Sequence, residues 1–292
     1  MKAFAERVAV ITGAAGGLGR ALAFRLARER MRLVLADVDA EALERAAAEL
    51  AAAGARAIAV RTDVSRGADV EALARRALDE HGAVHLVCNN AGVAPLGAVW
   101  ESSEADWRWV LGVNLWGVIH GVRVFAPILL AQGGEGHIVN TASVAGLISP
   151  PGMGAYNASK HAVVALTETL HHDLAAIGAR VRCSVVCPAF FPSGIADSER
   201  TRPAALAEAG RAKSPAQLAL EADLRKAVSA GRVSADAIAQ AVFEAVRDER
   251  FYVLTHARIK PAIERRMRDI LDGRTPADPM RGPDATSQGD PA

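Results

Sequence analysis

The stretch Arg7-Val8-Ala9-Val10-Ile11-Thr12-Gly13-Ala14-Ala15-Gly16-Gly17-Leu18-Gly19 decides what architecture to expect. Its apolar run shows no polar alternation, as in a strand covered on both faces. Gly13, Gly17 and Gly19 then punctuate a turn, and an amphipathic Ala- and Arg-rich helix is expected to about Arg30. Glycines at such a turn allow tight turning, and they let a pyrophosphate approach the N–H groups at a helix N-terminus. The spacing is Gly-x-x-x-Gly-x-Gly, not the Gly-x-Gly-x-x-Gly fingerprint, so a purely structural turn stays open as an alternative.

Outward from there the unit repeats. Strands are expected at Arg32–Ala36, Arg56–Val60, Val84–Cys88, His137–Ala142, Arg180–Cys187 and Phe251–Thr255. Helices are expected between them: from an Asp39 cap to Ala53, over Gly67–His81, from a Ser103-Glu104-Ala105-Asp106 capping box to Gln132, from Tyr156 to about Gly178, and over Ala235–Val246. This alternation predicts an α/β chain with a Rossmann-like, doubly wound parallel sheet and helices on both faces. One domain is expected over 1–272, with 190–232 a polar, Ala-rich substrate-binding loop region. The segment 273–292 holds four prolines and three glycines in twenty residues and is expected to be a disordered tail.

Ligands of open α/β sheets bind beyond the carboxyl ends of the strands. Asp37 ends the second strand. Its carboxylate can accept hydrogen bonds from ribose hydroxyls and would repel a 2′-phosphate. Val38 follows, Ala14 and Ala15 occupy the glycine turn, and no arginine or lysine is placed to hold that phosphate. Tyr156 and Lys160 are four apart on an expected helix and so share a face. A free phenol titrates near ~10. A fixed ammonium beside it favours the phenolate, and such a pair can exchange a proton with an alcohol or ketone oxygen. By itself Tyr-x-x-x-Lys also fits an ordinary amphipathic helix.

Composition excludes other classes. The 292 residues are 51% hydrophobic and 23% charged with net charge +1, and no basic or acidic block points to nucleic acid or an anionic membrane. The N-terminus does not read as a signal peptide. The most apolar run, Val110–Leu130, is broken by Asn114, His120 and Arg123, so no membrane span is expected. Cys88, Cys183 and Cys187 are odd in number and lack Cys-x-x-Cys spacing, so they are read as core residues of a protein in the reducing cytoplasm. His171-His172 diverge on a helix and do not form a metal face, and no metal site is expected. Trp107, Trp109 and Trp116 are read as packing. Trp109 and Trp116, seven apart, form a stripe suited to core or to a dimer face.

Taken together, Thr12-Gly13-x-x-x-Gly17-x-Gly19, Asp63-Val64, Asn89-Asn90-Ala91-Gly92, Asn114, Ser143 and Tyr156-x-x-x-Lys160 resemble the short-chain dehydrogenase/reductase family in its compact single-domain branch, over roughly Arg7–Thr255. The resemblance implies a nicotinamide dinucleotide and a tetrad of Asn114, Ser143, Tyr156 and Lys160. In it Tyr156 is the general acid/base, Ser143 binds the substrate oxygen, Lys160 holds the nicotinamide ribose and lowers the Tyr156 pKa, and Asn114 anchors a relay water. It further implies cofactor contacts from Gly13, Gly17, Leu18, Gly19, Asp37, Asp63, Val64, Asn90, Ala91, Gly92, Tyr156, Lys160, Pro188 and Ser193. One departure is that Ala189 and Ser193 stand where the family usually has Gly and Thr.

The reading is an NAD-dependent oxidoreductase interconverting a hydrophobic secondary alcohol and its ketone, assembled as a homodimer or homotetramer as the family implies. An apolar pocket is expected from Val93, Ala94, Pro95, Leu96, Val144, Ala145, Leu147, Ile148, Met153, Phe190, Phe191 and Ile195. Glu199, Arg200 and Arg202 could instead fold over it to hold an anion. Alternatives are an NADP-dependent ketoreductase on another carbonyl, carrier-linked or not, a nucleotide-sugar epimerase or dehydratase, and a redox sensor that binds cofactor without turnover.

Overall fold

The computed structural model of the chain describes residues 1–280 except Ala209 and Arg211. Seven strands, β1 (Val8–Thr12), β2 (Arg32–Asp37), β3 (Ala57–Arg61), β4 (Leu86–Asn89), β5 (Gly136–Thr141), β6 (Val181–Cys187) and β7 (Tyr252–Leu254), form one parallel sheet in the order β3-β2-β1-β4-β5-β6-β7. Each lies within one or two residues of its expected place. The order reverses at β1, where Ile11 pairs with Leu35 of β2 on one side and Cys88 of β4 on the other. The crevice beyond β1 and β4 is therefore the topological switch point, the place where such sheets bind ligands.

Side chains alternate across the sheet because the strand period is two. Ala9, Ile11, Leu33 and Leu35 point to a core closed by α1 (Gly17–Arg28), α2 (Ala40–Ala52) and α8 (Ala235–Asp248). Val8, Val10, Val34 and Ile138 point to the other, closed by α3 (Gly67–His81), α5 (Gly117–Ala131) and α6 (Gly154–Ala176). Burial on both sides is why these strands read as continuous apolar runs. Among the described residues all three cysteines are free and buried in these layers, and burial pushes their thiols up to about 12.

The sequence reading joined Ser103–Gln132 into one helix. The capping box is there: Ser103 Oγ accepts from the Asp106 amide and Asp106 Oδ2 from the Ser103 amide. It opens α4 (Glu104–Leu111), but a π-helical segment at Gly112–Trp116 separates α4 from α5. The wider π turn shifts the register, so Trp109 is buried at 2% exposure while Trp116 stands half exposed beside His120. The expected Trp109–Trp116 stripe is thus broken. The whole stretch Glu104–Ala131 is long and apolar enough to cross a membrane by length and composition. Here Phe125 and Leu129 pack it on the sheet, and Asn114 is fully buried.

Two helices went unread. α7 (Pro215–Ser229) opens on Ser214, Pro215 and Gln217, a complete capping box with proline in the first turn, so its signal was present. α9 (Lys260–Leu271) is so rich in charge that it offers little apolar periodicity. The expected tail begins there. Up to Met280 it is tied back: Arg274 and the Ala277 amide bond Asp269, and Arg265 donates to the Asp278 carbonyl. Residues 281–292 lie outside the described residues.

A buried polar chain joins β4, β5 and α6. Asn89 Nδ2 donates to Asn140 Oδ1 at 2.9 Å, and Asn140 Nδ2 donates to Thr167 Oγ1 at 3.0 Å. On α5, a Cβ at Gly121 would stand 2.0 Å from Asn89 Oδ1. Alanine in a helix interior normally gains about 1 kcal/mol over glycine. Forced overpacking typically costs roughly 1–3 kcal/mol, and Asn89 cannot yield without giving up its bond to Asn140. Gly121→Ala is therefore expected to lower the melting temperature. A variant melting at or above the parent would show that Asn89 can step aside.

Candidate active site

At the switch point the Thr12 hydroxyl accepts hydrogen bonds from the Asn90 amide (2.9 Å) and the Ala91 amide (3.2 Å), locking the end of β1 to the loop after β4. Asn90 Nδ2 returns a bond to the Thr12 carbonyl at 3.0 Å. Gly13 has φ +65°, and a Cβ there would lie 2.9 Å from the Ala91 Cα; one at Gly19 would lie 2.0 Å from the Gly13 oxygen. Those two glycines are dictated by close backbone approach. Gly17, with φ +50°, turns the chain into α1. No side chain caps α1 and its first turn carries no acid, so its leading N–H groups face a cleft lined by Gly13, Gly16, Gly17 and Leu18. An uncapped helix start in a glycine cradle fits a pyrophosphate.

One end of the cleft is lined by Asp37, Val38, Asp63 and Val64. Asp37 Oδ2 accepts from the Ala15 amide at 3.0 Å and Oδ1 from the Asp39 amide at 3.1 Å, which fixes the carboxylate against the glycine turn. Asp63 Oδ1 accepts from the Ser65 amide and hydroxyl. No cation was legible here in the sequence, yet the fold brings one. Arg200 lines the same end, its Nη1 2.5 Å from Asp39 Oδ2.

Ser143, Tyr156 and Lys160 converge at the middle of the cleft, beside Asn90, Ala91, Gly92 and Pro188. Ser143 ends the turn after β5, its hydroxyl 3.3 Å from the Pro188 carbonyl and accepting from the Ala145 amide at 3.1 Å. It also lies beside the Tyr156 phenol, where it favours the phenolate. Lys160 is 3% exposed. Its Nζ donates to the Thr141 carbonyl at 2.8 Å and sits 5.6 Å from the Tyr156 ring centroid. Asn114 lies behind, inside the π-helical segment. Its amide donates to the Val93 carbonyl (3.0 Å) and to Ser159 Oγ (3.2 Å), and its oxygen accepts from the Val93 amide (2.8 Å). The two bonds to Val93 hold the loop after Gly92, and the bond to Ser159 ties the π-helical segment to α6. π-turns of this kind recur at functional sites.

Burial pushes the Tyr156 phenol above its ordinary value, against the pull of the Ser143 hydroxyl. The expected lowering by Lys160 is not what the protein alone displays, because desolvation disfavours the phenolate. Burial likewise lowers the Lys160 ammonium to about 8. The pair can still pass a proton at a substrate oxygen, as the neutral phenol donates and the phenolate accepts.

Ala189 has no left-handed backbone, so replacing glycine there causes no strain; its amide donates to His256 Nδ1 at 3.2 Å. Ser193 stands across from the glycine turn, 3.4 Å from where a Gly17 Cβ would be, and lines the cleft.

Toward its other end the cleft, about 510 Å³ in all, becomes apolar. Val93, Ala94, Val144, Ala145, Ile148, Met153, Phe190, Phe191 and Ile195 line it as expected, whereas Pro95, Leu96 and Leu147 do not. Trp109, Leu224, Val228, Ile259, Pro279 and Met280 line it too, and the sequence reading did not name them as pocket residues. They come from α4, α7, the turn just before α9 and the segment after it, elements whose placement no local pattern reveals. Arg202, the candidate anion holder, is stacked 4.3 Å from the Trp109 ring centroid, bonded to Asp106 (2.6 Å) and to both oxygens of Glu199 (2.8 and 2.9 Å). Its charge is already matched. His171 and His172 are exposed, and among the described residues no group of His, Cys, Asp or Glu is placed to hold a metal ion.

The chain matches the family model for short chain dehydrogenases over residues 7–204. A short chain dehydrogenase/reductase of Burkholderia phymatum, solved in complex with NAD, aligns with a TM-score of 0.95 at 56% identity, covering 96% of this chain and 100% of that one. The CLA biosynthesis dehydrogenase/reductase of Lactiplantibacillus plantarum is 34% identical over 278 residues, 94% of this chain and 97% of the relative. The 1-deoxy-11-beta-hydroxypentalenate dehydrogenase of Streptomyces exfoliatus is 40% identical over 270 residues, 91% of this chain and 87% of the relative.

The buried lysine has a measurable consequence. With its ammonium lowered from 10.5 to about 8, the folded chain releases this proton at a pH where the unfolded chain still holds it. In that window the unfolded state binds more protons, so this group makes stability rise with pH. The cost of the buried charge is fully present below pH 8 and gone above 10.5. The cysteines act oppositely, since their folded thiols ionise near 12 rather than 9. Subtracting the denaturation profile of Lys160→Met isolates the lysine. Stability of the parent relative to this variant is expected to climb between pH 8 and 10.5, and a flat difference would mean an unshifted ammonium.

Proposed function

The chain belongs to the short-chain dehydrogenase family and is an oxidoreductase of that type, and from this premise we propose that it interconverts a hydrophobic secondary alcohol and its ketone using NAD. The observation that carries the reading is a single cleft with two chemistries. A glycine-cradled helix start and the Asp37 carboxylate lie at one end, an apolar chamber at the other, and Ser143, Tyr156 and Lys160 stand where they meet. The residues at the first end fit a nicotinamide dinucleotide, with Gly13, Gly17, Leu18 and Gly19 at the pyrophosphate, Asp37, Asp63 and Val64 at the adenosine, and Asn90, Ala91, Gly92, Lys160, Pro188 and Ser193 towards the nicotinamide. When bound, that cofactor supplies or accepts the hydride. The Burkholderia phymatum relative's complex with NAD supports the same choice.

The remaining work falls to this chain's own side chains. Ser143 holds the substrate oxygen. Tyr156 gives that oxygen a proton in reduction and takes it back in oxidation. Lys160, deep in the cleft on the Thr141 carbonyl, offers a positive charge that favours the phenolate once it forms. Asn114 keeps the wall after Gly92 in register through its bonds to Val93, is tied to α6 through Ser159, and stands where it could anchor a relay water. The apolar chamber excludes water from the proton transfer.

Tyr156→Phe deletes the titrating oxygen and keeps the ring. Turnover is expected to fall by ~10²-fold or more, the usual contribution of a positioned acid/base, with NADH binding retained. Near-parental turnover would remove Tyr156 from the role.

Substrate character follows from the chamber. Burying an unpaired carboxylate there costs several kcal/mol or more, while apolar surface gains roughly 25 cal/mol per Å². Arg202 has no charge to spare. A neutral aryl or medium-chain aliphatic carbinol is therefore expected to show a higher kcat/KM than a hydroxy acid of similar size. A preference for the acid that Arg202→Ala abolishes would show that Glu199 and Asp106 release the guanidinium. For assembly we favour a homodimer over a homotetramer, with exposed Trp116 on its face; light scattering that finds a monomer at micromolar concentration would exclude both.

A further inference from the structure

The ion pair between Arg200 and Asp39 joins residues 161 positions apart and spans the mouth of the cleft. Asp39 belongs to the turn after β2. One of its oxygens accepts from the Ala42 amide as the cap of α2 and the other holds Arg200. The Asp39 amide donates to Asp37 Oδ1, so both carboxylates ride on one short turn. Arg200 belongs to the 3₁₀ segment Gly194–Thr201, which roofs the cleft. That segment is held independently by Ser198, whose hydroxyl accepts from the Ala94 amide at 3.1 Å, and by the ion pair of Asp197 with Arg225. Arg200 is thus delivered to the adenosine end by structure that does not depend on it.

Only Nη1 of Arg200 is engaged. Its remaining guanidinium N–H groups have no partner among the described residues, and the side chain is 58% exposed. An exposed pair of this kind is weak and easily exchanged, and a guanidinium fork matches phosphate oxygens as well as it does a carboxylate.

We propose that Arg200 is a cofactor-discriminating residue: anchored on Asp39 beside Asp37, it is the cation that meets the 2′ position of the adenosine ribose and determines how far a 2′-phosphate is tolerated. Asp37 repels that phosphate and Asp39 occupies the arginine, so both acids hold the balance towards an unphosphorylated ribose. Neutralising Asp37 removes the repulsion and lets the phosphate compete with Asp39 for Arg200. This rests on the dinucleotide reading of the cleft, but not on the identity of the alcohol or on turnover.

The test is equilibrium binding of adenosine 2′,5′-bisphosphate against ADP by calorimetry, at low and high salt, for the parent, Arg200→Ala, Asp37→Asn and the double variant. Asparagine keeps an acceptor for the Ala15 amide, and circular dichroism checks each fold. Arg200→Ala is expected to weaken the bisphosphate relative to ADP by about 10-fold, the scale of a lost charge-assisted bond. Asp37→Asn should strengthen the bisphosphate by a similar factor, and the gain should vanish in the double variant and shrink in high salt. The proposal is overturned if Arg200→Ala weakens both ligands equally, or if the Asp37→Asn gain survives without the arginine. Should the parent favour the bisphosphate outright, the NAD reading fails while a selective loss in Arg200→Ala still upholds the arginine's role. If neither ligand binds the parent, the dinucleotide reading fails and this proposal with it.

Discussion

The Thr12 hydroxyl is the joint on which this molecule turns. β1 and β4 are neighbours, yet their chains leave the sheet on different errands, one into the glycine turn and one along the wall of the cleft. Their last backbone groups lose sheet partners where they diverge, and buried backbone N–H groups must be paired. Thr12 supplies the missing acceptor to both Asn90 and Ala91, and Asn90 answers with its side-chain amide. The two loops that build the cleft are thereby one rigid piece. Gly13 and Gly19 follow from the same closeness, because any side chain there would collide with the opposing loop or the turn itself.

On that platform the protein maintains an expensive feature, a lysine at 3% exposure held by one carbonyl. Desolvation shifts its proton affinity downward and that of Tyr156 upward, each group moving towards neutrality in the protein alone. Strained protonation of this sort marks sites where chemistry is done, since burial that only served stability would be cheaper with apolar groups. A polar ligand in the cleft would give the ammonium further acceptors and so raise its proton affinity again. The electrostatics of the Tyr156 and Lys160 pair are then completed on binding, not fully stored in advance.

Local pattern carried the sheet and the centre of the site. Continuous apolar runs marked buried strands, and Tyr156 and Lys160 were legible as a pair because one helix carries both at a four-residue spacing. The π-helical segment was not legible, because one extra residue in a helix leaves no compositional mark, and it undid the Trp109–Trp116 stripe. Pocket residues from α7, Ile259 and the segment at Pro279 were equally hidden, since what places them is tertiary packing across the whole chain. Arg200 is the sharpest case. Nothing around Asp37 in sequence offers a cation, and the guanidinium arrives from a segment read as a polar loop.

That segment does more than cover the cleft. Within a few residues it is fastened at both ends of it: Arg200 reaches Asp39 at the Asp37 end, Ser198 takes the Ala94 amide midway, and Arg202 is gripped by Asp106 over Trp109 at the apolar end. The fastenings differ in strength for a physical reason. Arg202 and Asp106 are nearly out of water, so losing either breaks a desolvated pair, whereas Arg200 is exposed and its pair is worth little. Strain on the roof should therefore release the Asp37 end first, with the Arg202 anchor holding the other. Because Ser198 and the Asp197–Arg225 pair hold the segment independently, exchanging the partner of Arg200 leaves the roof over Phe190, Phe191 and Ile195 fastened.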